Sequence, residues 1–519
     1  MLLVSKNPWM ADEAMGLPSG AEPVGYALLV RQYDLSVMPN FRWSFVAKAA
    51  RQSVVEQGLV WETFPLAYAP QDLPGHIEFA LRYDGVNLEI FAALFRTLGE
   101  PEIALLTAWI QGTPTGVYTR KTWFLYESLT GNRLAIPDLT QGNYEPLLDP
   151  STYFTGDVRR SRRHRIADNL LGSVAFSPVV RRTPVIEHFV SRRLDRRLVE
   201  LLRGYDPETL LRAAQWLYTK ETRSSFAIEH EKPAQDKMTR FVAVLRQAKD
   251  LRAVTPEALV YLQGLLVDPR FRETGWREGQ NYVAADARVH VDFVSPKPED
   301  LAGLMDGLLD CVGRLERSDI DAVVAAAVAA FGFVFLHPFE DGNGRIHRFL
   351  IHYLLVRKGF TPPDTIVPVS ATMLARTAEY DACLERFSVP LMARVTYELD
   401  SQGHVEVLTD TAGFYRHFDA TSMVEALYGW LAHAIDHDFV AELEFMVVYG
   451  EVRRRLAEVV SLPERLENQL VARCLENGGK LSHKRRKSMF PMLTDEEVAG
   501  VEGLIEEVRA GNGRGKVPE

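Results

Sequence analysis

The sequence predicts a mainly α-helical protein with little β structure, and three observations predict it. Residues Ala322 to Leu336 are continuously apolar or glycine, too short for a membrane span of ~20 residues and well suited to a buried core helix. Asp206–Lys220 and Glu257–Leu266 are amphipathic at helical spacing, the first opening with Asp206-Pro207, an N-cap followed by proline at the first helical position. Alternation of apolar and polar residues marks one short stretch, where Val289, Val291 and Phe293 are separated by His290 and Asp292. The chain divides into an N-terminal α+β accessory domain (1–204), a central helical domain (205–400) and a C-terminal helical region (401–519).

In the first domain, Leu88 to Ile110 reads as two short helices, and Gly112-Thr113-Pro114-Thr115-Gly116 as a turn. Thr119 to Leu129, with Trp123, Phe124, Leu125 and Tyr126, is a further helix. Val158 to Arg203 then carries twelve arginines against four acids. A helix-turn-helix variant followed by basic residues is one route to nucleic acid through 158–203. No recognition helix rich in Arg, Asn or Gln accompanies it, so an arginine face that is solvated or docked on the chain's own acids is favoured. Composition agrees: 47% hydrophobic and 25% charged residues describe a globular protein, and a formal charge of −10 argues against nucleic-acid binding by the chain as a whole.

Further on, Ser318 is the expected N-cap of the apolar helix, with Asp319 and Asp321 in its first turn. A second helix is expected after Arg345, placing Ile346, Leu350, Tyr353 and Leu354 on one face. Tyr380 and Leu384 fall on an amphipathic helix after Thr372. Asp419 to Val460 reads as long helices, Val459 to Pro463 as a break, and Asn477-Gly478-Gly479-Lys480 as a sharp turn. His483-Lys484-Arg485-Arg486-Lys487 is a short basic stretch, and Thr494 caps a last helix that opens with acids. Cys311, Cys383 and Cys474 are isolated and suggest neither a disulfide framework nor a zinc site. With neither a signal peptide nor a convincing membrane span in view, a cytoplasmic location without membrane partners is expected.

The chemistry concentrates in His337-Pro338-Phe339-Glu340-Asp341-Gly342-Asn343-Gly344-Arg345-Ile346-His347-Arg348, a loop between the two central helices. His337 can accept a proton from an attacking hydroxyl near neutral pH. Asp341 offers a hard oxygen for Mg²⁺. Gly342 and Gly344 permit positive φ or close approach, and successive N–H groups at the next helix start form an anion site. Asn343 can donate to a phosphate oxygen, while Arg345 and Arg348 can neutralise phosphate charge from one helical face. Pro338 and Phe339 are expected to shape the loop, and His347 to face solvent or a neighbouring helix.

This segment resembles, at every defining position, the HPFx(D/E)GNGRxxR signature of the Fic family, whose members mostly transfer AMP from ATP to hydroxyl side chains of proteins. The resemblance covers about Ser225 to Ser388 and implies a Fic helical core with a small β-hairpin flap. It implies His337 as general base, Asp341 holding Mg²⁺ on the α- and β-phosphates, and Phe339 and Gly342-Asn343-Gly344 at the nucleotide. Arg345 and Arg348 would bind the β- and γ-phosphates, and Tyr380 and Leu384 would touch adenine. Related Doc-type toxins carry lysine at the position of Gly344 and phosphorylate instead, so Gly344 favours nucleotidyl transfer. Ser225-Phe226-Ala227-Ile228-Glu229 resembles the family's inhibitory (S/T)xxxE(G/N) helix, although His230 replaces the final Gly or Asn. By that likeness Glu229 would pair with Arg348 and exclude the ATP γ-phosphate. The flap, across Asn281 to Val294, would dock a target protein's Ser, Thr or Tyr hydroxyl by strand addition. Self-modification and a homodimer are also compatible with the resemblance. Three alternatives stay open: removal of AMP from a modified protein, a donor other than ATP, and a DNA-binding regulator that uses the fold as a sensor.

Overall fold

The computed structural model describes residues 17–18, 20–56, 58–284 and 291–512. They are mainly helical, as expected, and fall into two compact units. The first comprises Met1–Ser191, Pro233–Phe360 and Arg376–Tyr428; the second comprises Arg192–Lys232, Thr361–Ala375 and Gly429–Glu519.

The first unit opens with a four-stranded sheet in the order Glu22–Val24, Arg42–Ala47, Leu59–Pro65, Gln52–Glu56. The central pair is parallel, with Trp43 opposite Trp61, and both outer pairs are antiparallel. Helices Leu88–Thr97, Glu100–Gly112 and Val117–Thr130 follow, as the sequence predicts. Asn87 caps the first by accepting the Ile90 N–H at 3.0 Å. Gly131, at φ 72°, ends the third in the left-handed conformation that glycine adopts at little cost. Their buried faces join the sheet in one apolar core around Tyr26, Trp43, Phe91 and Trp123.

The arginine-rich stretch is largely engaged by the chain itself. Arg163 donates from Nε and Nη2 to the carboxylate of Glu127, both at 2.8 Å. Arg159 pairs with Asp168 at 3.0 Å, Arg181 with Asp419 at 2.9 Å and Arg182 with Glu187 at 2.7 Å. Arg160 and Arg165 lie over the ring of Tyr144.

A helix that sequence periodicity left unassigned, Pro298–Arg317, precedes the apolar one and terminates at Ser318. Ser318 is therefore a C-cap. The apolar helix starts at Ala322, where Asp321 accepts the N–H groups of Val323 (2.9 Å) and Val324 (3.1 Å). Two cap-forming residues three apart are available, and because Ser318 closes the preceding helix the start falls to Asp321. Phe176, fully buried, wedges between these helices where Gly307 and Gly332 leave room. A Cβ built on Gly307 would lie 2.7 Å from the Phe176 Cβ, and one on Gly332 3.1 Å from its ring.

In the second unit, helix Pro207–Ile228 begins at Asp206, which accepts the Glu208 and Thr209 N–H groups at 3.0 Å. It packs on helix Val440–Arg455 through a 2.7 Å Lys220–Glu442 ion pair and Trp216 stacked on Phe445. Glu221, buried, accepts the Ser370 N–H at 2.9 Å and its hydroxyl. Arg192 and Arg197 both pair with Asp436. Helices Glu464–Glu476, His483–Met489 and Asp495–Asn512 close a separate apolar core around Val452, Leu470, Phe490 and Ile505. Among the described residues no helix is long and apolar enough to cross a membrane.

The Phe176 wedge makes a paired prediction. Gly307→Ala should lose about 1–3 kcal/mol to overpacking, offset by up to about 1 kcal/mol of helix propensity. Gly303→Ala, on the same helix with nothing within 4 Å of its Cβ, should be neutral or stabilising. Thermal unfolding of the two variants should therefore move in opposite directions; equal shifts would contradict close packing at Gly307.

Candidate active site

The site sits where one helix ends and the next begins. The incoming helix, Ala322–Leu336, is buried through almost its whole length, and its C-cap is His337. His337 adopts φ 49° and ψ 59°, a left-handed conformation. For a residue other than glycine this costs on the order of 1–3 kcal/mol and persists only where the surroundings impose it. His337 N donates to Phe333 O at 3.0 Å, and its Nδ1 lies 3.1 Å from Val334 O. A carbonyl can only accept, so Nδ1 carries the proton and Nε2 is the ring nitrogen with a lone pair.

The outgoing helix spans Asn343–Arg357, three residues earlier than the apolar periodicity suggests. Periodicity cannot see the first turn, because Asn343, Gly344 and Arg345 are not apolar. Gly342, at φ 94°, is its N-cap, and the first-turn N–H groups of such a helix have no intrahelical acceptor. The loop thus delivers an array of N–H donors at the positive end of a helix dipole, directly after the histidine.

Two of the expected nucleotide residues have their side chains turned into the protein. Phe339 is fully buried, with its ring packed against Trp276 (5.5 Å between centroids) and Phe333. It shapes the loop and offers a ligand no side-chain surface. Asn343 has its amide occupied: Nδ2 donates to Phe339 O at 2.6 Å, and Oδ1 accepts the Phe339 N–H at 3.0 Å. Its side chain staples the turn, which leaves the main-chain N–H as its means of meeting a phosphate.

Arg345 and Arg348 are both buried on the outgoing helix. Arg345 donates from Nη1 to Leu266 O at 3.0 Å and from Nη2 to Asp341 Oδ1 at 2.5 Å. Asp341 keeps 45% of its side chain exposed, so one face remains open to a ligand. Glu273 approaches from a neighbouring loop and accepts the Glu340 N–H at 2.9 Å. Burial raises its carboxyl above the usual range, and the carboxylates of Glu340 and Asp341 add to the rise. Among the described residues no group of three or more His, Cys, Asp or Glu is placed to hold a metal ion. A single open carboxylate suits a Mg²⁺ that arrives on phosphate oxygens, the usual mode for that ion.

His347 faces the neighbouring incoming helix. Its Nδ1 donates to Ala330 O at 2.8 Å, and its ring meets Phe331 edge-on. Burial lowers its pKa to about 3, so it is neutral across physiological pH. Tyr380, buried on helix Thr377–Met392, has its ring 6.5 Å from that of His347; Leu384 lies one turn on and is half-buried.

The described ends of the expected flap form a hairpin base, with Tyr282–Val283 antiparallel to Phe293–Val294. Val289 and His290 lie outside the described residues. Tyr282 donates its hydroxyl proton to Gly403 O at 2.8 Å, and Tyr415 donates to Val294 O at 2.5 Å. Asn281 Nδ2 donates to Phe339 O at 3.0 Å. Sequence reasoning missed Arg277, which bonds the carbonyls of His337, Gly279 and Pro296, because nothing in a one-residue pattern separates a buried arginine from a surface one. It also missed Gln263, fully buried, whose amide donates to Phe271 O and Glu273 Oε1, both at 3.1 Å.

Ser225 and Glu229 belong to the second unit. Ser225 is buried on helix Pro207–Ile228, Glu229 is its half-buried C-cap, and His230 follows in the left-handed conformation at φ 57°. The position that departs from the inhibitory pattern is thus one where glycine or asparagine would be under less strain.

Comparison with known proteins finds a match over part of the chain. Residues 253–355 match the Fic/DOC family. "Protein adenylyltransferase Fic" of Drosophila willistoni is 43% identical over 93 residues, 18% of this chain and 17% of that protein. The protein of the same name from Nematostella vectensis is 38% identical over 71 residues, 14% of this chain and 17% of that protein. The chain thus spans about a sixth of the length of these curated relatives. The crystal structure of a Fic family protein from Desulfovibrio desulfuricans G20 aligns with a TM-score of 0.38 at 20% identity, over 62% of this chain and 99% of that one.

The buried neutral His347 predicts an acid-sensitive stability. In the unfolded chain a histidine takes up its proton near pH 6.5, before the folded one does, so stability falls as pH drops from about 6.5 toward 3. His347→Gln keeps an N–H for Ala330 O and removes the titration. Between pH 7 and 5 it should lose about 2 kcal/mol less stability than the parent. Urea unfolding at the two pH values measures this, and an unchanged difference would mean that His347 is not held neutral.

Proposed function

We propose that this chain, through its Fic domain, is a protein adenylyltransferase that moves AMP from ATP to a Ser, Thr or Tyr hydroxyl of a protein docked at the 281–294 flap. The observation that carries the reading is the placement of His337, whose Nδ1 lies 3.1 Å from Val334 O directly before a helix N-terminus suited to phosphates. In this reading the Nδ1–H is held by that carbonyl and Nε2 takes the proton. The same residue names in a disordered order on a surface would carry far less weight.

The chemistry follows from the placements. ATP lies with its phosphates on the N–H groups from Gly342 to Arg345, and Arg345 and Arg348 neutralise the β- and γ-phosphates. Asp341 holds the Mg²⁺ that ATP brings, which supplies charge neutralisation at the phosphates. The target hydroxyl oxygen attacks the α-phosphorus in line, and its proton passes to His337 Nε2. The bond from the α-phosphorus to the bridging oxygen breaks, and pyrophosphate leaves with that oxygen. Catalysis of this kind rests on positioning and preorganised charge. Adenine is assigned to the neighbourhood of Tyr380 and Leu384.

Glu229 supplies inhibition in this reading, competing with the γ-phosphate for the guanidinium of Arg348. Its place at a helix C-cap, four residues after the buried Ser225, supports a fixed carboxylate. The same carboxylate can activate water, so removal of AMP is the second reading. The DNA-regulator reading loses ground because the arginines that motivated it are committed to Glu127, Asp168, Asp419 and Asp436. A cytoplasmic site of action is part of the proposal.

The test is transfer of label from ATP with Mg²⁺, using ATP labelled at the α- or γ-phosphate. Label on protein from the α-position only, raised in Glu229→Gly, is the expected outcome. His337→Ala should reduce it by about 10²–10⁴-fold, the usual cost of losing a general base. Label from the γ-position would make the enzyme a kinase. No label from either, in any variant, would overturn the proposal.

A further inference from the structure

Arg277 is 4% exposed, yet among the described residues its guanidinium bonds only main-chain carbonyls. Nε donates to His337 O at 2.9 Å, Nη2 to Pro296 O at 2.6 Å and Nη1 to Gly279 O at 2.5 Å. Its own N–H donates to Pro338 O at 2.9 Å. Burial lowers its pKa to about 10, which still leaves it charged at neutral pH. A buried cation without a bonded carboxylate is an expensive way to fill space. The carboxylates of Glu340 and Glu273 offset part of that cost, and the three carbonyls supply the rest of its partners.

What the planar fork can do, and an aliphatic chain cannot, is fix three acceptors from three segments in one plane. Those acceptors are informative. His337 O is the last turn of the incoming helix, Gly279 O leads into the flap, and Pro296 O leads out of it. A cation at a helix C-terminus also suits the dipole. The left-handed His337 is therefore tied by the same side chain that ties both feet of the flap.

We propose that Arg277 is a positioning residue that sets the register between the target-docking flap and the Nε2 of His337. It touches neither nucleotide nor target. It acts by keeping the histidine in its strained conformation and by tying the described ends of the flap to it, so that a docked hydroxyl meets the base. Asn281, which reaches Phe339 O from the flap, is a second and weaker tie along the same seam. This inference rests on the transfer reaction proposed above.

The experiment compares Arg277→Lys and Arg277→Met in the Glu229→Gly background. Four quantities are read: melting temperature, ATP binding by calorimetry, transfer of α-labelled AMP to protein, and amide exchange at 279–283 and 337–340. We expect both variants to fold and to bind ATP within about threefold of the parent, because Arg345 and Arg348 are untouched. Transfer should drop by about 10²-fold, the scale of a small misplacement of reacting groups, and exchange should quicken in both segments together. Lysine should restore little, since one ammonium cannot span three carbonyls. Transfer within threefold of the parent would overturn the inference, and so would a parallel loss of folding and ATP binding, which would make Arg277 a general structural residue. If the Glu229→Gly parent itself shows no transfer, the proposed reaction fails. Arg277 is then judged by exchange alone, and unchanged exchange in the two segments would refute the clamp.

Discussion

The end of the incoming helix is the constraint on which the site depends. Ala322–Leu336 is buried on nearly every side, and the carbonyls of the buried turn that follows it, residues 337–339, are met by donors of the protein. Buried carbonyls must find donors. Arg277 supplies them at His337 and Pro338, and Asn281 and Asn343 supply them at Phe339. A histidine in the left-handed region follows from how that end is closed. The strain at His337 and the placement of its ring are two consequences of one capping arrangement.

Much of this was legible in the residues and much was not, and the division has physical reasons. Caps and glycines act through local hydrogen bonds, so Asp206 and the Gly342 turn could be read from neighbours alone. The choice between Ser318 and Asp321 could not, because both are good caps and only the termination of Pro298–Arg317 decides between them. The roles of Phe339 and Asn343 were also hidden. A motif states which residue types a site needs but not whether a given side chain faces the ligand or the backbone beneath it. Asn343 looks like a phosphate donor on paper and is a staple in three dimensions. Buried polar groups such as Arg277 and Gln263 depend on partners tens of residues away, and no periodicity records them.

Charge tells a similar story. A run of twelve arginines against four acids between Val158 and Arg203 invites a polyanion, yet it is answered by acids within it, Asp168 and Glu187, and by others elsewhere in the chain, Glu127, Asp419 and Asp436. Glu127 accepts from Arg163, Trp123, His164 and the Leu134 N–H. Its carboxyl is held down to about 2 by those donors, against the opposing effect of its own burial. A guanidinium so engaged contributes to the fold before it contributes to any surface potential, which is why a local count of charges overstates what a ligand would feel.

The placement of Ser225 and Glu229 bears on how the proposed inhibition is relieved. Their helix is fixed within the second unit by the Lys220–Glu442 pair, by Trp216 on Phe445, and by Glu221 on the Ser370 main chain and hydroxyl. Of these, the Glu221 contact is the strongest, since the carboxylate is fully buried and both donors would be hard to replace. A helix held at three points along its length does not melt for a small perturbation at its end. A signal that relieves the proposed inhibition therefore acts most directly at the end of this helix, where Glu229 is the C-cap and His230 follows. His230, at φ 57°, holds the left-handed turn that closes the helix, so a change at this one residue reaches the Glu229 cap without touching the three contacts behind it.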